Sequence, residues 1–318
     1  MNTPAVPIDP DSAIVAFEGV SKWYGNVIGV NKLTLHISAG VTGLLGPNGA
    51  GKSTFLQLAT GQLHPSQGEV RVLGERAWNN PGLNRRIGLC PEQDAFYEWM
   101  PGRKFIEACA LLSGLTRVEA RTATERALEQ VAMTEHAHRP IRGYSKGMRQ
   151  RTKIAQALVH DPEVVFLDEP LTGTDPLVRR ELMDILLALG ASGKSVIFSS
   201  HVLYEVQALT SRIVLLNRGR LVAEGQVRQI RDLIDTHPHR IVLNGPSVRK
   251  LAARLIEFDD VVGIELARRE GGILVETRSP DLFYARLPEL ALDDTTRIEQ
   301  VDSDDDNLEA VFKYLVNP

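Results

Sequence analysis

Nine consecutive residues, Gly46-Pro47-Asn48-Gly49-Ala50-Gly51-Lys52-Ser53-Thr54, combine glycines, an amine and hydroxyls at the spacing G-x-x-x-x-G-K-S/T. Each type has a use against a phosphate. Glycine lacks the Cβ that would hold the backbone N–H groups away from phosphate oxygens. The Lys52 amine can reach the β- and γ-phosphates, and the Ser53 hydroxyl can ligate Mg²⁺. The flanks agree. Val41 to Leu45 reads as an apolar strand and Phe55 to Ala59 as the first turns of a helix, whose N-terminus adds partial positive charge. The motif as a whole is a P-loop.

Two carboxylates form the second candidate centre. Val164-Val165-Phe166-Leu167 suits a strand buried on both faces of a parallel sheet, and Asp168-Glu169 follows it directly. Parallel α/β sheets place ligands at that end of their strands. Asp168 is suited to holding Mg²⁺ through water, and Glu169 to polarising an attacking water. His201 closes another apolar strand, Ser195 to Ser199. It would face the same crevice, where a histidine can sense the γ-phosphate. Two further features are open in the residues alone. Tyr144 to Arg151 starts a helix with Ser145 as N-cap, which is either a second anion site or simply a capped helix. Trp23-Tyr24-Gly25 precedes the glycine loop, and its aromatics either stack on a base or pack on a sheet.

These residues need a scaffold, and the pattern supplies one. Ile14 to Phe17 and Leu33 to Ile37 look like antiparallel strands flanking the P-loop strand, with Glu69 to Leu73 and Ile87 to Cys90 as further short strands. Phe105 to Leu112 and Val118 to Val131 read as amphipathic helices inserted between the P-loop and the acidic strand. Helices are expected from Tyr144 to about His160 and from Leu177 to Ala188. A length of 318 residues suggests two domains, and 43% hydrophobic with 24% charged residues is ordinary globular composition. A net charge of −4 argues against a nucleic-acid partner. Cys90 and Cys109 make no metal or disulfide pattern, which suits a reducing compartment. His136 with His138 and His237 with His239 lack nearby cysteines and read as surface pairs. Met1 to Ser12 reads as a disordered arm rather than a signal peptide. No window approaches a membrane-spanning length of about 18 apolar residues.

Past about Asp235 the chemical motifs stop. Strand-like Arg240 to Leu243, helical Ser247 to Ile256, a hairpin of Gly263 to Arg268 and Ile273 to Arg278 around Glu270-Gly271-Gly272, helical Pro280 to Leu287 and strand-like Arg297 to Val301 follow. That order suggests a small α+β, ferredoxin-like domain. The acidic run Asp302 to Asp306 lacks the glycine and glutamate spacing of a calcium loop and reads as the cap of a last helix, Asn307 to Val316.

In their order, these motifs resemble the ATP-binding subunit of ABC transporters, over about Ile14 to Ile230. The resemblance implies an α/β P-loop NTPase core with an antiparallel β subdomain and a helical subdomain. The ATPase domain would span 13–232, with its helical part at about 92–160, and the accessory domain 238–318. It also implies ATP and Mg²⁺ as cofactors. Tyr24 would stack on adenine, residues 46–54 would hold phosphate, and Ser53 and Asp168 would serve the metal. Glu169 would be the general base and His201 the γ-phosphate sensor. Ser145 and Gly147 would contact ATP held by a second ATPase subunit, across a seam that includes Asp175. Two departures stand out. The signature reads Tyr144-Ser145-Lys146-Gly147-Met148 where the family usually has Leu-Ser-Gly-Gly-Gln, a variant similar to bacterial exporter-type subunits. The glutamine loop reads Pro91-Glu92-Gln93, so that Glu92 stands near the metal by its spacing from the proline, or Gln93 does with a one-residue shift. The following segment, Ala95 to Met100, is the face that in this family docks a permease on a separate chain; packing of the helical insertion is the other use of its aromatics. The implied place is the cytoplasmic face of the inner membrane. A soluble ATPase of the same type, not coupled to transport, is the alternative reading.

Overall fold

The computed structural model describes residues 13–226, 238–266, 272–291 and 298–303. The arm at 1–12, the hairpin tip Glu270-Gly271, Asp304 to Asp306 and the closing helix at 307–316 lie outside the described residues. The chain divides into two compact units, Met1–Gln226 and Val227–Pro318.

The first unit begins with β1 (Val15–Tyr24), β2 (Val27–Ile37), β3 (Val41–Leu45), α1 (Lys52–Ala59), β4 (Gln67–Val72), β5 (Glu75–Arg76), α2 (Pro81–Asn84) and β6 (Ile87–Cys90). It continues with α3 (Gly102–Leu112), α4 (Arg117–Gln130), α5 (Lys146–Leu158), β7 (Val164–Leu167), α6 (Pro176–Ala191), β8 (Ser195–Ser200), α7 (Leu203–Leu209), β9 (Arg212–Asn217) and β10 (Arg220–Gln226). Six of the strands form one sheet in the order β10-β9-β3-β8-β7-β6. All its neighbours are parallel except β10, which returns antiparallel to β9. Both β7 and β8 are buried along their whole length, as expected of central strands covered on two faces.

The antiparallel strands lie elsewhere than the sequence suggests. β1 and β2 do not flank the P-loop strand; they belong to a separate sheet, β2-β1-β4-β5. The reason is that β3 has both edges taken, by β8 on one side and β9 on the other. The inward residues of β1, Val15, Phe17 and Val20, are fully buried, and Phe17 stacks on Phe55 of α1 at 4.3 Å between ring centroids. That contact joins the second sheet to the helix that carries the P-loop.

α3, α4 and α5 lie in the insertion, between β6 and β7. α4 has a complete capping box: the Thr116 hydroxyl accepts from the Glu119 N–H, and Glu119 reaches back to the Thr116 N–H. α3 starts at Gly102 rather than Phe105, because Pro101 can precede a helix and Gly102 leaves room for the Tyr144 ring; a Cβ there would run into the Tyr144 hydroxyl. α6 begins at Pro176 behind an Asp175 N-cap, whose side chain accepts from the Val178 N–H at 3.0 Å.

The second unit contains β11 (His239–Asn244), α8 (Val248–Leu255), β12 (Val261–Leu266), β13 (Gly272–Thr277), α9 (Pro280–Ala291) and β14 (Gln300–Ser303), an order of β-α-β-β-α-β. The sheet is antiparallel in the order β12-β13-β11-β14. Ile241, Leu243, Ile273 and Val275 pack under Leu251, Leu255 and Phe283. Asp302 and Ser303 pair with Val242 and Ile241 as strand residues, so the acidic run starts inside β14.

Candidate active site

The P-loop connects β3 to α1 through left-handed glycines, Gly49 at φ +78° and Gly51 at φ +103°. A side chain on Gly51 would also come within 2.6 Å of the Gly29 carbonyl, and one on Gly46 would collide with the carbonyl of Leu216. The turn is therefore closed to anything larger at those positions. Its back is tied down where the Gly219 N–H donates to the Ala50 carbonyl at 2.9 Å. Lys52 is only 6% exposed. Its Nζ donates to Gly46 O at 2.8 Å and Pro47 O at 3.3 Å, and lies 3.2 Å from Glu169 Oε1.

The two acids are fixed from β8. Ser199 Oγ donates to Asp168 Oδ1 at 2.6 Å and accepts from the Glu169 N–H at 2.7 Å. The Asp168 N–H in turn donates to the Cys90 carbonyl at 2.8 Å. Both acids are less than 10% exposed, at 7% and 8%. Glu169 adopts φ +46°, a left-handed backbone that costs a non-glycine residue about 1–2 kcal/mol. The turn aims its side chain across the cleft. There Thr172 Oγ1 donates to Oε2 at 2.8 Å and His201 Nδ1 lies 2.9 Å from the same oxygen. With the Lys52 ammonium on Oε1, every oxygen of Glu169 is engaged. Burial pushes the thiol of Cys90 up to about 12, so that group is inert.

These parts surround an open cleft of about 530 Å³. Tyr24, Val27, Ile28 and Gly29 form one wall; Asn48, Gly49, Gly51, Lys52, Ser53 and Thr54 form the floor; Glu92, Glu169, Thr172 and His201 form the other wall. Tyr24 stands at the end of β1, half exposed, with its hydroxyl 3.4 Å from Thr54 Oγ1. Gly46, Pro47, Ala50 and Asp168 do not line the cleft, and Asp168 is held by Ser199 Oγ. Glu92 lines the cleft and Gln93 does not.

The structure does not bring Ser145 and Gly147 into this cleft. They sit at the start of α5. Ser145 is exposed and accepts from the Met148 N–H at 3.3 Å. Gly147 is buried against α6, where a Cβ would come within 2.6 Å of Val178 Cγ1.

Thr172, within the stretch Leu171 to Asp175, and Ser199 are site residues to which the sequence reading gave no role. Thr172 follows Glu169 by three residues, a spacing that lets a hydroxyl fold back on a turn. Ser199 follows Phe198, the register partner of Leu167, and so stands beside Asp168. The donor set also suits the expected metal: the Ser53 hydroxyl and the carboxylates of Asp168 and Glu92 are hard oxygen ligands of the kind Mg²⁺ takes. Among the described residues no three His, Cys, Asp or Glu side chains form a ready-made metal cluster.

A P-loop beneath a parallel sheet, with a buried carboxylate facing its lysine, defines a nucleotide-binding α/β protein. Comparison with known proteins narrows this. The sequence matches the ABC transporter family over residues 30–172. It is 35% identical over 226 residues to the ABC transporter ATP-binding protein YxlF of Bacillus subtilis, covering 70% of this chain and 75% of that one. It is 31% identical over 265 residues to the daunorubicin/doxorubicin resistance ATP-binding protein DrrA of Streptomyces peucetius, covering 83% and 80%. The fold matches the dimeric, post-hydrolysis structure of the ATP-binding cassette MJ0796 bound to ADP and Pi, with a TM-score of 0.61 at 22% identity, over 67% of this chain and 98% of that one. The chain belongs to the ATP-binding proteins of ABC transporters, and it is an ATPase subunit of that family. Among the described residues no helix is long and apolar enough to cross a membrane.

Proposed function

We propose that two ATPase subunits, two copies of this chain or this chain and a paired subunit, close head to tail over two ATP molecules and so drive a separate membrane permease. Tyr24 stacks on adenine. Residues 46–54 cradle the phosphates, with Lys52 on the β- and γ-groups. Ser53, Asp168 and Glu92 would hold Mg²⁺, which would supply charge stabilisation to the phosphate oxygens. Glu169 accepts the proton of the water that attacks the γ-phosphate in line, and His201 holds Glu169 and reads the γ-phosphate. Ser145 and the N–H groups at the start of α5 meet the γ-phosphate from the opposite subunit. Closure follows from tighter ATP binding in the closed state than in the open one.

One observation carries this reading: the buried Glu169 carboxylate is held by Lys52, Thr172 and His201 at the mouth of the phosphate loop. Where Ser145 lies supports the dimer, since a phosphate-binding serine outside its own cleft needs another nucleotide to bind. The likeness to DrrA supports export as the direction, and the exposed Tyr97 and Trp99 support docking of a permease. A chain so docked works on the cytoplasmic face of the inner membrane. The second unit is read as a ferredoxin-like accessory domain behind an ATPase domain ending near residue 232.

The test is Glu169→Gln. It should retain ATP binding, abolish phosphate release and trap the chain as an ATP-bound dimer in size-exclusion chromatography. Steady-state hydrolysis near the wild-type rate would falsify the role of Glu169 as base. Co-purification of the tagged full chain from membranes tests the permease separately.

A further inference from the structure

Lys153 is a buried cation with no part in the chemistry above. It lies in the third turn of α5, 3% exposed. Its Nζ donates to the Glu92 carbonyl at 2.6 Å and pairs with Asp94 Oδ1 at 3.2 Å. Arg149, one turn earlier on the same helix face, takes Glu98 in a two-pronged grip at 2.8 and 2.6 Å and lies 3.4 Å from Asp94 Oδ2. Its guanidinium also covers the Phe96 ring at 5.8 Å. α5 thus supplies the charged anchors of the 92–98 loop, beside the Arg142 N–H on the Glu98 carbonyl at 2.9 Å and the edge-on contact of Phe96 with Phe105 of α3.

A buried ammonium needs strong partners to stay charged. The ones it has fix the backbone of Glu92, the residue whose side chain enters the cleft. A loop free to slide would carry that carboxylate out of reach of the phosphates. We propose that Lys153, backed by Arg149, is the positioning residue for Glu92: its grip on the Glu92 carbonyl and on Asp94 holds the loop where the Glu92 side chain enters the cleft.

The inference rests on the reading that Glu92 faces the metal, and the test separates the two. The probe is Mn²⁺ binding to the full-length chain in the presence of ATP, read by EPR, alongside hydrogen exchange of the amides of 91–100. Lys153→Met should weaken Mn²⁺ binding by about 10-fold and speed exchange across 91–100, while metal-free ATP binding to the P-loop stays unchanged. Glu92→Ala is the control. A loss of Mn²⁺ affinity in Glu92→Ala with none in a folded Lys153→Met overturns the clamp alone. No loss in Glu92→Ala overturns the reading of Glu92 and the inference with it. Should Lys153→Met not fold, the half-exposed Asp94→Asn decides: it keeps the core intact, and unchanged exchange and Mn²⁺ affinity in that variant overturn the proposal.

Discussion

Glu169 and Ser145 both sit at the junction of two elements, yet they are built in opposite ways. The side chain of Glu169 is buried and engaged on both oxygens by Lys52, Thr172 and His201, and its N–H is taken by Ser199. Ser145 is exposed and spends its hydroxyl on a single long cap bond, 3.3 Å from the Met148 nitrogen. The first arrangement is complete within one chain and pre-organised for chemistry, since its dipoles and charges need not move when charge develops. The second is open to solvent, and in the proposed dimer its ligand would come from the other subunit. A protein that hydrolysed ATP as a lone subunit would have no use for that difference. A protein that hydrolyses only on pairing needs both.

The sharpest way to break the comparison is to disable each region and then mix the products. Lys52→Met removes the cation that touches both the loop carbonyls and Glu169. It should lower ATP turnover by about 1,000-fold, the scale seen when a charge-stabilising donor is lost. Ser145→Arg should abolish turnover with ATP binding intact, because its own cleft does not include residue 145. Neither variant is active alone. If the two regions meet across a dimer, the mixture contains one intact composite site and phosphate release returns. Silence from a mixture shown to form heterodimers would place Ser145 outside the reaction.

Ser199→Ala sharpens the side of the comparison that one chain completes. The hydroxyl serves Asp168 Oδ1 and the Glu169 N–H together. Removing it leaves a buried donor unpaired and a buried carboxylate short of one bond, at about 1–3 kcal/mol. Thermal unfolding should move down accordingly, and turnover should fall further than ATP affinity, because the loss is at the acids and not at the phosphate loop. Equal losses in both would mean that Ser199 acts on the nucleotide directly.

The two regions also differed in how far they could be read before the structure. The P-loop was legible because its chemistry is contiguous: Gly49, Gly51 and Lys52 act through a backbone turn that nine residues encode by themselves. Asp168 and Glu169 were legible as the end of a buried strand. Ser199 was not, because its contact with Asp168 depends on the parallel register of β7 and β8, and Asp168 is 31 residues away in the chain. The left-handed turn at Glu169 also left no mark, since glutamate carries no preference for it. The split of the strands into two sheets was missed for a related reason. The pattern of β1 reports that one face is buried, and not that β8 and β9 have already taken both edges of β3. The start of α5 was legible as a cap, and the structure shows that cap bond, with Ser145 outside the cleft.

The smallest effect belongs to the scaffold shared by both regions. His160 follows α5 and lies against β6, its Nε2 2.8 Å from the Ile87 carbonyl. That bond makes Nε2 the donor and leaves Nδ1 unprotonated, buried and without a partner. Burial holds the imidazole below its usual value, which outweighs the Ile87 carbonyl and the Asp161 carboxylate that favour the charged form; Lys194 works with burial. The unfolded chain therefore takes up a proton before the folded one does. Stability from this residue is complete above the ordinary histidine value of about 6.5 and declines as pH falls below it. His160→Gln keeps a side-chain N–H for Ile87 and cannot titrate, so it should flatten the fall in thermal stability between about pH 6.5 and 5 by a few degrees at most. The carboxylates nearby do not compete in that window. Asp161 is held low by Lys194 and Glu163 by Arg86, so their contribution is lost only at more acidic pH. Since His160 supports the C-terminal end of α5, ATP binding and heterodimer rescue should both survive the change at neutral pH. A loss of rescue alone would mean that the scaffold under Ser145 is tuned separately from the scaffold under Glu169.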